Sequence, residues 1–149
     1  MKAYRDFITV MAEHNSKASN TITWGGQFIV RGLKSMTEDD WRLTKLAGAV
    51  NLAIGVESGS ESVRDHMKKQ FSNKDLDEFV EHAYLNKINL EFLMIIGYPT
   101  ETEEDFKDTL KAMEGKQSAS GIYTTAEELK AYQIIKTILV MLVGKVFVG

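Results

Sequence analysis

Two apolar runs constrain the fold of this chain more than any other feature. Leu52–Val56 precedes a polar turn at 57–60, and Leu90–Ile96 precedes a turn at 97–99. A helical spacing of apolar residues follows each turn. Short, almost uniformly apolar runs are typical of parallel strands that are covered on both faces. The sequence therefore predicts parallel βα units in which the two runs are neighbouring strands of one sheet.

Weaker patterns predict the other helices and strands. Residues 1–13 have the apolar spacing of a helix, and short β-type runs at 22–24 and 28–30 flank two glycines. Helix starts are predicted at Thr37, with Asp40 three residues later, and at Ser60 and Asn73. The last helix is predicted to start at Thr100, which has the capping-box spacing with Glu103, or at Thr102. The fold class is α/β, a partial parallel (β/α) half barrel of about three to four βα units. A complete eightfold barrel needs roughly 250 residues.

The length of 149 residues predicts a single domain over 1–149. Its segment 122–149 is interpreted as a divergent or truncated C-terminal part. Ile134–Val148 is the most apolar stretch, but a membrane span needs roughly 20 apolar residues. The N-terminus is charged throughout and unlike a signal peptide. We therefore expect no membrane association and a cytoplasmic location.

Charge and composition exclude several classes of function. The net charge of −3 argues against binding nucleic acid through phosphates. The chain has no cysteine, which excludes disulfides, a thiol nucleophile and thiolate ligation of a metal or cluster. Three scattered histidines do not suggest a metal site.

Polar residues follow both predicted strands, at the sheet edge where parallel α/β folds collect their functional atoms. Glu57 offers a carboxylate and Ser58 a hydroxyl, which suit a ribose or a small polar ligand. Gly97 permits close approach of a ligand to the backbone. The alternative is purely structural: Glu57 pairs with a nearby lysine or arginine, Ser60 caps a helix, and Gly97 belongs to an ordinary βα turn.

Two blocks carry a resemblance to a known family. IGVESGSESVRDHM, followed after about 25 residues by FLMIIGYPTETEEDF, resembles the second half of a radical S-adenosylmethionine (radical SAM) barrel. The similarity extends from about Ile22 to Met113. It is greatest to the branch whose members often carry a cobalamin-binding domain.

The resemblance implies a partial (β/α)6 barrel in which three cysteines hold a [4Fe–4S] cluster. SAM binds the open iron and is cleaved reductively to a 5′-deoxyadenosyl radical. Because this chain has no cysteine, it cannot ligate such a cluster itself. By this resemblance, the strands that would carry the cluster and the SAM amino-group loop would come before the matching part, and we expect them to be missing from this chain.

The resemblance also implies roles for individual residues. Glu57 and Ser58 match the place that contacts the ribose and the polar methionine groups of SAM. Ile95 and Gly97 match part of the pattern GxIxGxxE, whose residues pack on adenine. Arg31 is a weaker candidate for a contact to the SAM carboxylate, and an ordinary solvated arginine is the alternative.

The family pattern is incomplete in this chain. Leu93 stands at the first glycine of GxIxGxxE, and Thr100 stands at its acid. We therefore expect SAM binding to be weak and centred on the residues that do match.

Three functions remain open at this point. In the first, the chain is a fragment or split partner of a radical SAM enzyme. A separate chain would carry the cluster, and this chain would be inactive in isolation. The alternatives are a non-catalytic, self-associating binding module and a truncated reading frame. A half barrel would expose strand edges and interior side chains, so a homodimer is expected. The side chains predicted to line that open interior are Ile54, Val56, Met94 and Ile96.

Overall fold

The structure, a computed structural model, describes residues 1–30 and 36–114. Along this part of the chain the elements are α1 (Lys2–Lys17), β1 (Trp24–Phe28), α2 (Glu38–Leu46), β2 (Ala49–Glu57), α3 (Glu61–His66), α4 (Asn73–Leu85), β3 (Asn89–Met94) and α5 (Glu103–Glu114). Strands and helices alternate, as the sequence predicts.

The three strands form one parallel sheet in the order β1-β2-β3. Leu52 is opposite Leu90, and Ile54 is opposite Phe92. The two apolar runs are therefore neighbours in one sheet, which confirms the prediction made from them. The register shifts between Gly55 and Glu57, where β2 ends.

The two faces of the sheet differ in chemistry. Leu52, Ile54 and Val56 are fully buried on the face that the helices cover. The alternate residues of β2, including Ala53 and Gly55, point to the other face, because successive side chains of a strand point to opposite sides. This second face, hereafter the open face, carries mostly small and polar residues from all three strands, together with one leucine: Gln27, Asn51, Ala53, Gly55, Glu57, Asn89, Glu91 and Leu93.

This arrangement corrects two expectations. Within residues 1–30 and 36–114, helices cover one face of the sheet only, so the expectation of strands covered on both faces does not hold for this part of the chain. Ile54 and Val56 do not line an open interior, and Met94 and Ile96 pack partly buried against the core. Small residues at 53 and 55 count as apolar in composition, but they put little apolar side-chain surface on the open face, where Leu93 is 39% exposed.

The core lies between the covered face and the helices. Leu90 and Phe92 of β3 pack there with one side of α4 and with Trp41 of α2. The residues that α4 contributes are Leu76, Phe79, Val80 and Ala83. The Trp41 and Phe79 rings meet edge to face at 4.8 Å. Helix α1 packs on α2 through a smaller cluster around Ile8.

Side-chain caps define the helix starts. Thr37 and Asp40 form the predicted capping box of α2. Ser72, rather than Asn73, caps α4, together with Asp75. The cap of α5 is Thr102 with Asp105, so of the two predicted caps Thr102 is confirmed, and the capping box of Thr100 with Glu103 was wrong. Both errors have one cause, because several hydroxyl or amide residues near a helix start satisfy the same spacing rule.

Strand β1 also differs from prediction. It is one strand, Trp24–Phe28, with both glycines inside it, instead of two runs on either side of them. Arg31 and the segment 122–149, including Ile134–Val148, lie outside the described residues. No helix within residues 1–30 and 36–114 is long and apolar enough to cross a membrane.

Candidate functional site

Glu57 ends β2 in an unusual backbone conformation. Its φ of 67° lies in the left-handed region, where a residue with a side chain is strained. The Ser58 N–H donates to the Val56 carbonyl at 2.8 Å and so closes a three-residue turn around Glu57. The Glu57 carbonyl accepts from the Ile95 N–H at 2.8 Å. Such strained residues cluster at functional sites, which draws attention to this edge of the sheet.

The Glu57 carboxylate folds back over Gly55 on the open face. A Cβ at Gly55 would lie 2.6 Å from Glu57 Oε1, so glycine is needed for this placement. Lys69, from the segment between α3 and α4, donates from Nζ to the same oxygen at 2.8 Å. The structural alternative raised from sequence, an ion pair at Glu57, is thus present, and it lies on the open face rather than in the core.

Ile95 and Gly97 follow β3 beside Glu57. The Ile95 side chain is 45% exposed, and Gly97 is exposed with a φ of 88°. The Gly97 N–H donates to Glu101 Oε2 at 2.7 Å. Glu101 is one residue beyond Thr100, where the family pattern has its acid. Sequence reasoning missed Glu101 because the pattern has its acid at position 100, where this chain has Thr100.

The resemblance implies that Ser58 contacts SAM, but in the structure its side chain is buried against α5. Its side chain is fully buried, and its Oγ lies 3.1 Å from the hydroxyl of Thr109 in α5. The same Oγ accepts from the Ser60 N–H. Gly59 packs so closely on the backbone of Thr109 that a Cβ would collide with it. This turn therefore joins β2 to α5 rather than presenting hydroxyls to the open face.

Asp105 connects the turns after β2 and β3. One of its carboxylate oxygens accepts from Ser60 at 2.6 Å and from Ser62 at 2.8 Å, and the other accepts from Thr102. The hydrogen bonds from Ser60 and Thr102 hold the pKa of Asp105 well below its usual range. Ser60 is at the N-cap position of α3, as predicted, but its side chain serves Asp105 instead of the helix. The carboxylate is thus a fixed negative anchor.

Arg64 of α3 holds the turn after β2 through hydrogen bonds on the covered side of the sheet. Its side chain is fully buried, and it donates to the Ser58 carbonyl at 2.6 Å and to Asn73 Oδ1 at 2.5 Å. Its guanidinium lies 5.0 Å from the centre of the Phe71 ring. Burial lowers the pKa of Arg64 below its ordinary value. Nothing in the sequence spacing predicts this buried cation.

The structure thus brings together Glu57, Ile95 and Gly97 of the predicted site residues, and it adds Lys69 and Glu101. The arrangement offers a carboxylate on a residue whose backbone is bonded to that of the exposed Ile95, which suits a hydroxyl-bearing ligand with a flat aromatic base. No group of three or more potential metal-binding side chains occurs within residues 1–30 and 36–114.

Comparison with known proteins decides the family. The model of the radical SAM superfamily matches residues 5–113. The chain belongs to the radical SAM superfamily. The match covers every described helix and strand apart from the ends of α1 and α5.

Curated relatives and a solved structure agree with this assignment. The threonylcarbamoyladenosine tRNA methylthiotransferase of Drosophila pseudoobscura pseudoobscura is 38% identical over 61 residues, which are 40% of this chain and 11% of the relative. The tRNA-2-methylthio-N(6)-dimethylallyladenosine synthase of Geobacter sulfurreducens is 34% identical over 99 residues, 63% of this chain and 22% of the relative. The cobalamin-dependent SAM radical enzyme OxsB, with aqua-cobalamin bound, superposes with a TM-score of 0.67 at 21% identity, covering 78% of this chain and 17% of OxsB.

This radical SAM chain therefore spans between about a tenth and a quarter of the length of these proteins. Its fold is a part of the radical SAM (β/α) barrel. Of the two groups that the family uses, the cluster does not fit the residues present, because the chain contains no thiolate ligand. At the carboxyl ends of β2 and β3, the residues present offer a partly buried carboxylate at Glu57 and an exposed apolar residue at Ile95.

Proposed function

We propose that this chain supplies the ribose and adenine side of a SAM site and that a separate polypeptide supplies the cluster. Glu57 accepts hydrogen bonds from the ribose hydroxyls. The backbone from Ile95 to Gly97, with the Ile95 side chain, faces the adenine. Bound SAM would supply a source of radicals on reduction. The chain's own residues bind and orient the nucleoside, and in isolation the chain is inactive.

The observation that supports this proposal most is the joint position of Glu57 and Ile95. A hydrogen bond of 2.8 Å between their backbones holds the ends of β2 and β3 side by side. The Glu57 side chain lies on the open face with Gly55, and its backbone takes the strained left-handed conformation as the chain turns into Ser58. Strain of this kind costs about 1–3 kcal/mol, and a site that needs the carboxylate at this point gives a reason for it.

Binding by the chain alone should be weak. Without a cluster, the amino and carboxylate groups of SAM lose the iron that anchors them in the family. We expect an affinity of about −5 kcal/mol or weaker. A homodimer and a cytoplasmic location remain part of this proposal, as does the absence of binding to nucleic acid.

The second candidate is a non-catalytic, self-associating module. The strand order favours it: within the described residues, β1 and β3 are the edge strands, and each has a neighbouring strand on one side only. Strand edges of this kind promote association between chains. Such a module would bind no nucleoside at Glu57.

Calorimetric titration of SAM and 5′-deoxyadenosine separates the two. The full chain and Glu57→Ala are compared, with Glu91→Ala as the control, because Glu91 lies on the same face but nearer the other end of the sheet. The proposal predicts weak binding that Glu57→Ala reduces and Glu91→Ala preserves. Affinity unaltered by Glu57→Ala would make Glu57 structural, and tight SAM binding would contradict the incomplete site.

A further inference from the structure

The ion pair between Lys69 and Glu57 occupies only one of the two carboxylate oxygens. Lys69 Nζ lies 2.8 Å from Oε1, the oxygen nearest the Cβ position of Gly55. Both side chains are largely buried, with exposed fractions of 31% for Lys69 and 17% for Glu57. Within residues 1–30 and 36–114 no donor bonds to Oε2. The lysine therefore holds the carboxylate against the sheet and leaves its other oxygen available.

The backbone around Lys69 is itself fixed. The Lys69 N–H donates to the Arg64 carbonyl at 2.9 Å, and the preceding Lys68 has a left-handed φ of 60°. Arg64, in turn, is buried and bonded to the Ser58 carbonyl, next to Glu57 in the chain. The segment that carries the lysine is thus attached to the turn that carries the carboxylate. Lys69 has a defined position, unlike an exposed lysine that samples many rotamers.

We infer that Lys69 is a positioning residue that sets the selectivity of the site for ribose by holding the Glu57 carboxylate over Gly55. This inference rests on the proposed nucleoside site. A carboxylate held in place accepts a hydroxyl hydrogen bond without first losing its own rotamer freedom. Without Lys69, the charge and the geometry that keep Glu57 on the open face are lost, and the carboxylate can turn into solvent.

The test uses probes without a carboxylate, so that Lys69 cannot act through the ligand's own charge. Adenosine and 2′,3′-dideoxyadenosine are titrated into the ¹⁵N-labelled full chain, and amide shifts give both dissociation constants. The ratio of the two constants measures how strongly the ribose hydroxyls are recognised. For the wild type we expect a ratio of about tenfold, as for one hydrogen bond to a charged group.

Lys69→Met should bring the ratio below about twofold, and Lys69→Arg should restore at least half of the wild-type ratio. Lys74→Met is the matched control, because Lys74 is exposed and pairs with Glu78 rather than with Glu57, and it should preserve the ratio. Should Lys69→Met not fold, Lys69→Gln is the second variant. Glutamine retains a hydrogen-bond donor without the charge, so the ratio should lie between those of the wild type and Lys69→Met. A role in stability alone would alter both dissociation constants in parallel and leave the ratio intact.

Glu57→Gln distinguishes failure of the inference from failure of the proposed function. If Glu57→Gln abolishes the ratio and Lys69→Met retains it, the nucleoside site stands and the role of Lys69 is overturned. If the wild type shows no preference for adenosine, both the site and the inference are overturned.

Discussion

Ser60 Oγ donates to Asp105 Oδ1 at 2.6 Å, although 45 residues separate the two in the sequence. Ser60 begins α3, after β2, and Asp105 lies in the first turn of α5, after β3. This bond therefore connects the two turns that contain Glu57 and Gly97. The two turns are held together by a bond between helices on the covered side. The positions of Glu57 and Gly97 on the other side therefore do not depend on contacts between the turns themselves.

The close packing of Gly59 on α5 gives the first prediction. Gly59→Ala should lower the free energy of unfolding by about 2 kcal/mol, since the new Cβ would collide with the backbone of Thr109. Gly26→Ala is the control, because the nearest atoms to its Cβ position are 3.9 Å away. Urea denaturation of both variants measures the effect. Equal stability of the two variants would contradict the packing.

The buried guanidinium of Arg64 gives the second. Arg64→Met should destabilise the chain by about 3 kcal/mol, because it leaves the Ser58 carbonyl and the Asn73 side chain without their donor. Arg42→Met, at an exposed pair with Asp39, should change stability by less than about 0.5 kcal/mol. Thermal unfolding compares them. A neutral Arg64→Met would show that a buried apolar side chain serves equally well.

Asp40 gives a prediction about pH. The hydrogen bond from Arg5 is the main cause that lowers the pKa of Asp40 from 3.8 to about 2. The ionised carboxylate therefore contributes stability at pH above about 4, and this contribution disappears as the pH falls towards 2. At pH 6 the free energy of unfolding of the wild type should be about 1 kcal/mol higher than that of Asp40→Asn. The difference is modest because Arg5 is half exposed.

The measurement is urea unfolding at a series of pH values between about 2 and 6. The gap between wild type and Asp40→Asn should close at the acid end. Asp39→Asn, the exposed neighbour, serves as the control and should show no such closure. A gap that persisted to pH 2 would mean that Asn fails to accept the Thr37 N–H in the capping box and that the charge of Asp40 is irrelevant.

The parallel sheet was predictable because the runs 52–56 and 90–96 are too apolar for an exposed strand. What each face carries was less predictable. Ala53 and Gly55 made β2 resemble a strand buried on both sides, yet their small size is what opens one face. Leu93 and Ile95 are exposed despite their apolar character. In a strand with one exposed face, apolar and polar residues normally alternate. When small residues such as Ala53 and Gly55 take the polar positions, the sequence no longer shows this alternation.

The site was predictable only in part, for reasons of distance along the chain. Glu57, Ile95 and Gly97 end predicted strands, so the parallel topology alone places them together. Lys69 reaches Glu57 across an intervening helix, and its approach depends on the left-handed turn at Lys68. No residue pattern specifies such a contact before the helix orientation is known.

The absence of cysteine gives a spectroscopic prediction. After anaerobic incubation with iron and sulfide, the purified chain should remain colourless and free of iron, because the ligands of such clusters are thiolates. Optical absorption and iron analysis check this. A stoichiometric 4Fe–4S band from this chain alone would contradict the need for a separate cluster-bearing polypeptide.

The central claim is that the nucleoside site lies at the carboxyl end of the sheet. Amide shifts of the ¹⁵N-labelled full chain on titration with adenosine test this claim most directly. The account predicts the largest shifts at residues 55–58 and 95–97. A cleft of about 450 Å³ at the opposite end of the sheet, lined by residues that include Asn15 and Gly48, provides the contrast. Shifts concentrated around that cleft, or none at millimolar adenosine, would contradict the account.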